Sequence, residues 1–203
     1  GTLFYNAIQQ NSYKLQDKTS TFFNSFLLPD KLRQDYWKNK LNSQTTKPKI
    51  GLCWTSGMQN TRRLQHYTTL EKWTELIEHD GFSFVNLQYN LSVDELFAKG
   101  NITRNFLNTG FLDQKDDLEG VVSLLSNLDY VVSTSSSPSM LASAVGVPTV
   151  IFSAINIDWL GRSNKFDQHP LFSNTLIYPT LNAESDKEIV PDIISLLEKK
   201  LLD

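Results

Sequence analysis

The residues of this sequence that are best suited to chemistry form a hydroxyl-rich run between a short apolar strand and a short helix. Residues 130–132 read as a buried strand, and the hydroxyl side chains follow it: Thr134, Ser135, Ser136, Ser137 and Ser139. Ser137 can act as the helix N-cap, with Pro138 as the first helical residue. Backbone N–H groups at such a helix start, flanked by hydroxyls, attract a phosphate. Simple helix capping is the alternative interpretation.

A second polar turn is expected beside the first. Strand-like residues 49–54 run into Thr55, Ser56 and Gly57. From residue 49 onward strand patterns alternate with helix patterns, and the six predicted strands are 49–54, 82–87, 102–107, 130–132, 149–152 and 175–178. This rhythm predicts an α/β fold with a doubly wound, Rossmann-like parallel sheet of about six strands in the order 3-2-1-4-5-6. The first and fourth strands are neighbours in that order, so the two polar turns should meet.

Capping residues set the starts of the predicted helices: Pro29 with Asp30, Thr68 with Glu71, Ser92 with Glu95, Asp116 with Asp117, and Ser185 with Glu188. The apolar stripe of the first helix comprises Leu32, Tyr36, Trp37 and Leu41, and that of the fourth comprises Leu118, Val121, Val122 and Leu125. The second helix is predicted over residues 68–80, and residues 154–172 read as an irregular loop. Residues 1–47 form a helical N-terminal extension or the remnant of a preceding domain, and residues 48–203 form the sheet domain.

Composition excludes several functional classes. The 203 residues carry a formal net charge of −3, which argues against a nucleic-acid surface. Cys53 is the single cysteine, which favours a reducing compartment, and no signal peptide or bilayer-length apolar run is present, so a cytoplasmic location is expected. The three histidines are too scattered for a metal site and read as solvated loop or helix-end residues: His66, His79 and His169. No Asp-x-Asp pair and no G-x-S-x-G elbow occurs.

Several motifs resemble the C-terminal, nucleotide-sugar-binding half of GT-B glycosyltransferases, especially the ADP-heptose heptosyltransferases and bacterial glycosyltransferases fused to tetratricopeptide repeats. The matching segments, from about Leu28 to the chain end, are W-x-x-x-L at 37–41, I-G-L-x-W at 50–54, F-V-x-L-Q at 84–88, D-x-V-V-S at 129–133 and L-A-x-A-x-G-x-P at 141–148. The sequence departs from the pattern where these families usually carry an Asp-Thr pair and a histidine, because it has Ser135, Ser136 and Met140 there.

The resemblance implies a domain that binds a nucleoside-diphosphate sugar for hexosyl or heptosyl transfer, without a metal, beside a missing or separate N-terminal acceptor domain. The candidate nucleotide and diphosphate ligands are Thr55, Ser56, Gly57, Arg62, Arg63, Gln88, Asp117, Ser135, Ser136, Ser137 and Ser139. Catalytic residues are not identified, and the chain alone is not expected to transfer sugar. A catalytically degenerate nucleotide-binding or protein-interaction module of the same fold is the alternative.

Four of these candidates have a second interpretation. Arg62 or Arg63 precedes a helix, as an arginine does in the similar families, and could clamp the diphosphate or lie in a solvated loop. Gln88 ends a strand and could contact the base or ribose, or face solvent. Asp117 could accept a ribose hydroxyl, but stabilisation of the start of its own helix explains it adequately and is the favoured role.

Overall fold

Short β-branched and aromatic runs form the strands of the structure, a computed structural model that describes residues 25–56, 67–89, 105–110, 112–153, 167–169, 171–179 and 185–203. The strands are β1 (Lys49–Cys53), β2 (Ser83–Asn86), β3 (Tyr130–Thr134), β4 (Thr149–Ser153), β5 (Asp167–Gln168) and β6 (Thr175–Pro179). The helices are α1 (Lys31–Asn42), α2 (Thr74–Ile77), which follows a 3₁₀ turn (Leu70–Trp73), α3 (Leu118–Leu125), α4 (Ser137–Val145) and α5 (Ser185–Leu201).

The strands form one sheet in the order β2-β1-β3-β4-β6-β5. Five of them are parallel, and β5 pairs antiparallel with β6. The predicted α/β class and the order of the five parallel strands are confirmed. The predicted third strand is reduced to a single parallel bridge between Phe84 and Phe106, and its residues 102–104 lie outside the described part. The short edge strand β5 was expected to be loop.

Helices cover both faces of the sheet, as the continuous apolar strands require. On one face, Ile50, Leu52 and Val132 pack with Trp73 and the buried side of α5. On the other face, Cys53, Val85 and Val131 pack against α1, α3 and α4. Alternate residues of β1 therefore point into different cores, and Cys53 belongs to the core on the α1, α3 and α4 side.

Helix α1 packs against α3 rather than standing apart from the sheet. Asp30 caps it by accepting from the N–H of Arg33, and Trp37 and Leu41 are buried. Gln34 joins the two helices because its Nε2 donates to Ser126 Oγ at 3.2 Å. The predicted stripe is wrong at two positions, since Leu32 and Tyr36 are exposed, and Leu118 of α3 is likewise exposed. The division at residue 47 stays a prediction.

The predicted helix over residues 68–80 is wrong in length. Its start is the 3₁₀ turn, and α2 ends at Ile77. The reason is that Thr68 Oγ1 accepts from the indole N–H of Trp73 at 2.6 Å, so the hydroxyl that was assigned to a capping box anchors a buried ring instead. Within the described part of the chain, no helix is both long and apolar enough to cross a membrane.

Candidate functional site

The polar turns that follow β1 and β3 leave the sheet side by side. The two strands are parallel neighbours, with Ile50 opposite Tyr130 and Cys53 opposite Ser133. Thr55 and Ser56, both half-buried, follow β1, and Ser135 and Ser136 follow β3 at the same carboxyl edge. The prediction that the two turns meet where the sheet changes winding direction is confirmed. Crevices at this position are the usual ligand sites of open α/β sheets.

The turn after β3 holds the start of α4 through hydroxyl contacts. Ser136, and not Ser137 as predicted, is the N-cap, and it forms a capping box with Ser139, whose Oγ accepts from the Ser136 N–H at 3.1 Å. Ser133 Oγ donates to the carbonyl of Thr134 at 2.8 Å and lies 3.0 Å from Ser136 Oγ. The predicted position fails because Ser136 has the extended backbone of a cap, with φ of −150° and ψ of 172°, and Ser137 is already helical.

These contacts divide the hydroxyls of the turn into two groups. Ser139 is buried and Ser136 is half-buried, and both are engaged in holding the helix start. Ser135 and Ser137 are exposed. Since Pro138 has no N–H and the capping box uses that of Ser139, Ser137 supplies the available N–H of the first three helical residues. The expected row of free N–H groups is thus smaller than the sequence suggested.

Cys53 connects the two turns beneath the surface. Its Sγ lies 3.1 Å from the carbonyl of Thr55 and 3.8 Å from Ser136 Oγ. Burial raises the pKa of this thiol to about 11, although hydrogen bonds to Ser136 and Ser133 partly oppose that rise. The thiol is therefore neutral at physiological pH and acts as a weak donor, not as a nucleophile.

Gln88 lies under the turn after β1 and does not face solvent. Its side chain is only 2% exposed. Its Oε1 accepts from the N–H of Trp54 at 3.2 Å and from that of Thr55 at 3.0 Å, and its Nε2 donates to Thr55 Oγ1 at 2.7 Å. The carboxamide thus contacts the turn rather than projecting toward a base or ribose.

Asp117 has the helix-capping geometry that the sequence favoured. One carboxylate oxygen accepts from the Gly120 N–H at 3.0 Å, and Arg33 Nη1 lies 2.6 Å from that same oxygen. The hydrogen bond from Gly120 is the main cause that lowers the pKa of Asp117, and Arg33 adds to it. Its carboxylate is already occupied by α1 and α3.

The remaining candidates divide by position. Gly57, Arg62 and Arg63 lie outside the described residues, as does His66. His169 is buried beside Phe172, contrary to the expectation of a solvated loop, and burial lowers the pKa of its imidazole to about 4. In the described ranges, no group of three or more His, Cys, Asp or Glu residues lies together where a metal ion could bind.

Sequence reasoning missed two residues of this edge. Ser133 has no role assigned from the sequence beyond the D-x-V-V-S motif, yet its hydroxyl lies 3.0 Å from that of Ser136, the N-cap of α4. From Cys53 the sequence indicates only a reducing compartment, yet its thiol contacts both turns. The detectable signal was the predicted strand order, which makes the carboxyl ends of the first and fourth predicted strands neighbours; the register that pairs Cys53 with Ser133 comes from the structure.

Two open grooves border α1, away from these turns. One, of about 370 Å³, is polar and includes Lys31, Asp35 and Asp129. The other, of about 400 Å³, includes Leu32, Tyr36 and Asp117.

Comparison with known proteins finds a partial match in sequence and several similarities of fold. No family model matches the chain. Over 107 residues, 52% of the chain, it is 35% identical to Protein FlbA of Caulobacter vibrioides, and the match covers 18% of FlbA.

Three solved structures are similar in fold. The ADP-heptose lps heptosyltransferase II of E. coli has a TM-score of 0.55 at 19% identity, covering 85% of this chain and 53% of that one. The glycosyl transferase family 9 protein of Veillonella parvula DSM 2008 has a TM-score of 0.58 at 14% identity, covering 91% and 56%. E. coli heptosyltransferase WaaC with ADP-2-deoxy-2-fluoro heptose has a TM-score of 0.50 at 14% identity, covering 80% and 47%. The chain therefore has the α/β fold of about half of a glycosyltransferase of the heptosyltransferase and family 9 type.

Proposed function

We propose that this chain is the donor-binding domain of a glycosyltransferase and holds a nucleoside-diphosphate sugar at the carboxyl edge of β1 and β3. The observation that carries the proposal is the adjacency of the two polar turns, fixed by the pairing of Cys53 with Ser133. The strand order brings the two turns together, but it does not require both of them to carry exposed or half-exposed hydroxyls. A diphosphate would give both of them a common partner.

The available groups suit an anionic leaving group. In glycosyl transfer, negative charge develops on the departing diphosphate, so donors placed in advance at the phosphates lower the barrier. Ser135 and Ser137 would supply exposed hydroxyls, and the N–H of Ser137 lies at the positive end of α4. Thr55 and Ser56 would donate from the other side.

The fold comparisons support a sugar-transfer chemistry, and one similar structure contains an ADP-heptose analogue. We propose that this chain binds its nucleotide-sugar donor without a metal and that the protein is located in the cytoplasm. The chain spans about half the length of these structures. We therefore propose further that the acceptor is held by a separate domain.

Calorimetric titration of the folded chain with UDP-, ADP-, GDP- and CMP-sugars tests the proposal. We expect saturable binding of at least one donor. Replacing both exposed serines, Ser135→Ala with Ser137→Ala, should weaken it at least about tenfold, because a hydrogen bond to a charged group contributes about 1.5–3 kcal/mol. Ser43→Ala is the matched control, since Ser43 is an exposed hydroxyl at the far end of α1.

A protein-interaction module of the same fold is the second candidate. The observation that favours it is the internal use of Ser136 and Ser139 hydroxyls, which hold the helix start instead of facing a ligand. Ser135, Ser136 and Met140 also stand where the similar families usually carry an Asp-Thr pair and a histidine. A cooperatively folded chain that binds none of the four nucleotide-sugar classes would support this candidate and contradict donor binding.

A further inference from the structure

The direction of the hydrogen bonds around Gln88 follows from the chemistry of its partners. Trp54 and Thr55 present backbone N–H groups to one atom of the carboxamide, at 3.2 and 3.0 Å. An N–H can only donate, so this atom must be the carbonyl oxygen of Gln88. The other end of the carboxamide is then the NH₂ group, which can only donate to Thr55 Oγ1, at 2.7 Å. The structure thus leaves no ambiguity in the amide orientation.

This orientation determines what Thr55 can do. Its hydroxyl oxygen already accepts from Gln88, so the proton of the same hydroxyl is directed away from Gln88. Thr55 is half-buried at the carboxyl edge. The thiol of Cys53 contacts both the carbonyl of Thr55 and the hydroxyl of Ser136 there. A hydroxyl held in this way is an oriented donor, and an oriented donor favours an anionic acceptor without further reorganisation.

We propose that Gln88 is a positioning residue that fixes the turn after β1 and orients the Thr55 hydroxyl as a donor to a diphosphate oxygen. This inference rests on the proposed function, because the diphosphate is that of the donor nucleotide. It replaces the role of Gln88 as a direct contact to base or ribose. Burial supports it, since Gln88 at 2% exposure contacts the turn from below.

A double-mutant cycle with inorganic pyrophosphate tests the inference, because pyrophosphate carries the diphosphate without base or sugar. Gln88→Glu keeps the size and the acceptor for both N–H groups but replaces the NH₂ donor with a second acceptor oxygen. Thr55 would then donate inward, to residue 88. We expect Gln88→Glu and Thr55→Val each to weaken pyrophosphate binding about tenfold. Thr55→Ser, which keeps the hydroxyl, should bind as the wild-type chain does.

The two substitutions should not be additive. If Gln88 acts through the Thr55 hydroxyl, Gln88→Glu should reduce the logarithm of the pyrophosphate affinity less than half as much in the Thr55→Val variant as it does in the wild-type chain. Unfolding midpoints of all variants separate this coupling from a general loss of stability. Additive effects, or an unchanged affinity of Thr55→Val, would overturn the inference, as would a Thr55→Ser variant as weak as Thr55→Val.

The cycle also separates this inference from the proposed function. If nucleotide sugars bind but Thr55→Val does not change the affinity for pyrophosphate, the role of Gln88 is overturned and donor binding remains intact. Pyrophosphate binding that depends on Thr55, with no affinity for any nucleotide sugar, would retain the oriented hydroxyl and refute the donor assignment. A wild-type chain that binds neither probe would contradict both.

Discussion

At the scale of single residues, the buried contacts of Cys53 explain why the edge between β1 and β3 keeps its shape. A thiol is less polar than the hydroxyl and carbonyl groups around it, so it fits into the core and still approaches Thr55 and Ser136. The elevated pKa of Cys53, about 11 against 9.0, shows how strongly burial disfavours its thiolate. The raised pKa of Cys53 also makes the free energy of unfolding depend on pH.

Stability should fall in alkali partly through Cys53. Because the pKa is raised on folding, the folded state retains its proton more firmly, and this contribution is fully present below pH 9 and is lost as the pH rises toward 11. Between pH 8 and pH 10 we expect the free energy of unfolding to fall by about 1 kcal/mol more than in Cys53→Ser. Urea unfolding of both chains at the two pH values measures this difference. Equal losses would show that the thiol titrates normally.

Asp117 should behave as a helix cap. Asp117→Ala removes the acceptor for the Gly120 N–H and the partner of Arg33, so we expect a loss of about 1 kcal/mol in stability. Asp117→Asn keeps a good capping side chain and should lose only a few tenths of a kcal/mol. Thermal or urea unfolding provides the measurement. Two stable variants that have both lost nucleotide-sugar affinity would instead indicate a ribose contact.

At the scale of elements, α4 is defined by its two ends. Ser136 and Ser139 form the capping box at the start, and Gly146 ends the helix with a left-handed backbone at φ of 97°. The N–H groups of Gly146 and Val147 both donate to the Ala142 carbonyl, at 3.1 and 3.0 Å. This termination lets the chain turn into β4 within three residues, so that α4 stays over the core formed by α1 and α3.

Gly146→Ala should therefore destabilise the protein, by about 1–2 kcal/mol, because an L side chain at positive φ is strained. Gly146→Asn is the matched control and should lose clearly less, since asparagine tolerates this conformation. Urea unfolding compares the two variants with the wild-type chain. Similar stability of all three would contradict the assigned termination.

The elements also show what the sequence could predict. β1, β3 and β4 were readable because parallel, doubly covered strands are continuous apolar runs. The predicted third strand was less well defined in the sequence. Its pairing among the described residues is the bridge at Phe106, and so short a pairing leaves no periodic pattern to read. Leu118 was misplaced because period alone cannot tell a buried stripe from the exposed first turn of a short helix. The predicted capping box at Thr68 was wrong for another reason, since the Thr68 hydroxyl accepts from the indole of Trp73 instead of capping the helix.

At the scale of the whole molecule, the candidate site was predictable in location and less so in detail. Strand order alone brought Thr55 near Ser135 and Ser136, because the first and fourth predicted strands had to be neighbours. The contacts of Gln88 were not predictable, since its burial and the direction of its hydrogen bonds emerge only when β1 and β2 are paired. Sequence patterns therefore indicated which edge of the sheet carries the candidate site, and side-chain packing showed which residues contact one another there.

The relation to longer glycosyltransferases leads to an expectation for activity. Transfer requires donor and acceptor to be in line within about 3–3.5 Å, and we propose that a second domain provides the acceptor. The 203-residue chain should bind donor without turning it over. Donor consumption by this chain, compared with a version that includes the neighbouring domain, is the appropriate assay. Robust sugar transfer by the short chain would contradict the two-domain proposal.

Binding of a nucleotide sugar at the carboxyl edge of β1 and β3 can be followed residue by residue in an NMR titration of the ¹⁵N-labelled chain, which at 23.2 kDa suits the method. With the donor that binds best by calorimetry, we expect saturable shifts of the amide signals of Thr55, Ser135 and Ser137. Signals of Lys31 and Leu32, beside the grooves of α1, should stay in place. Shifts confined to α1, or no shifts with any nucleotide sugar, would show that the donor does not bind at this edge.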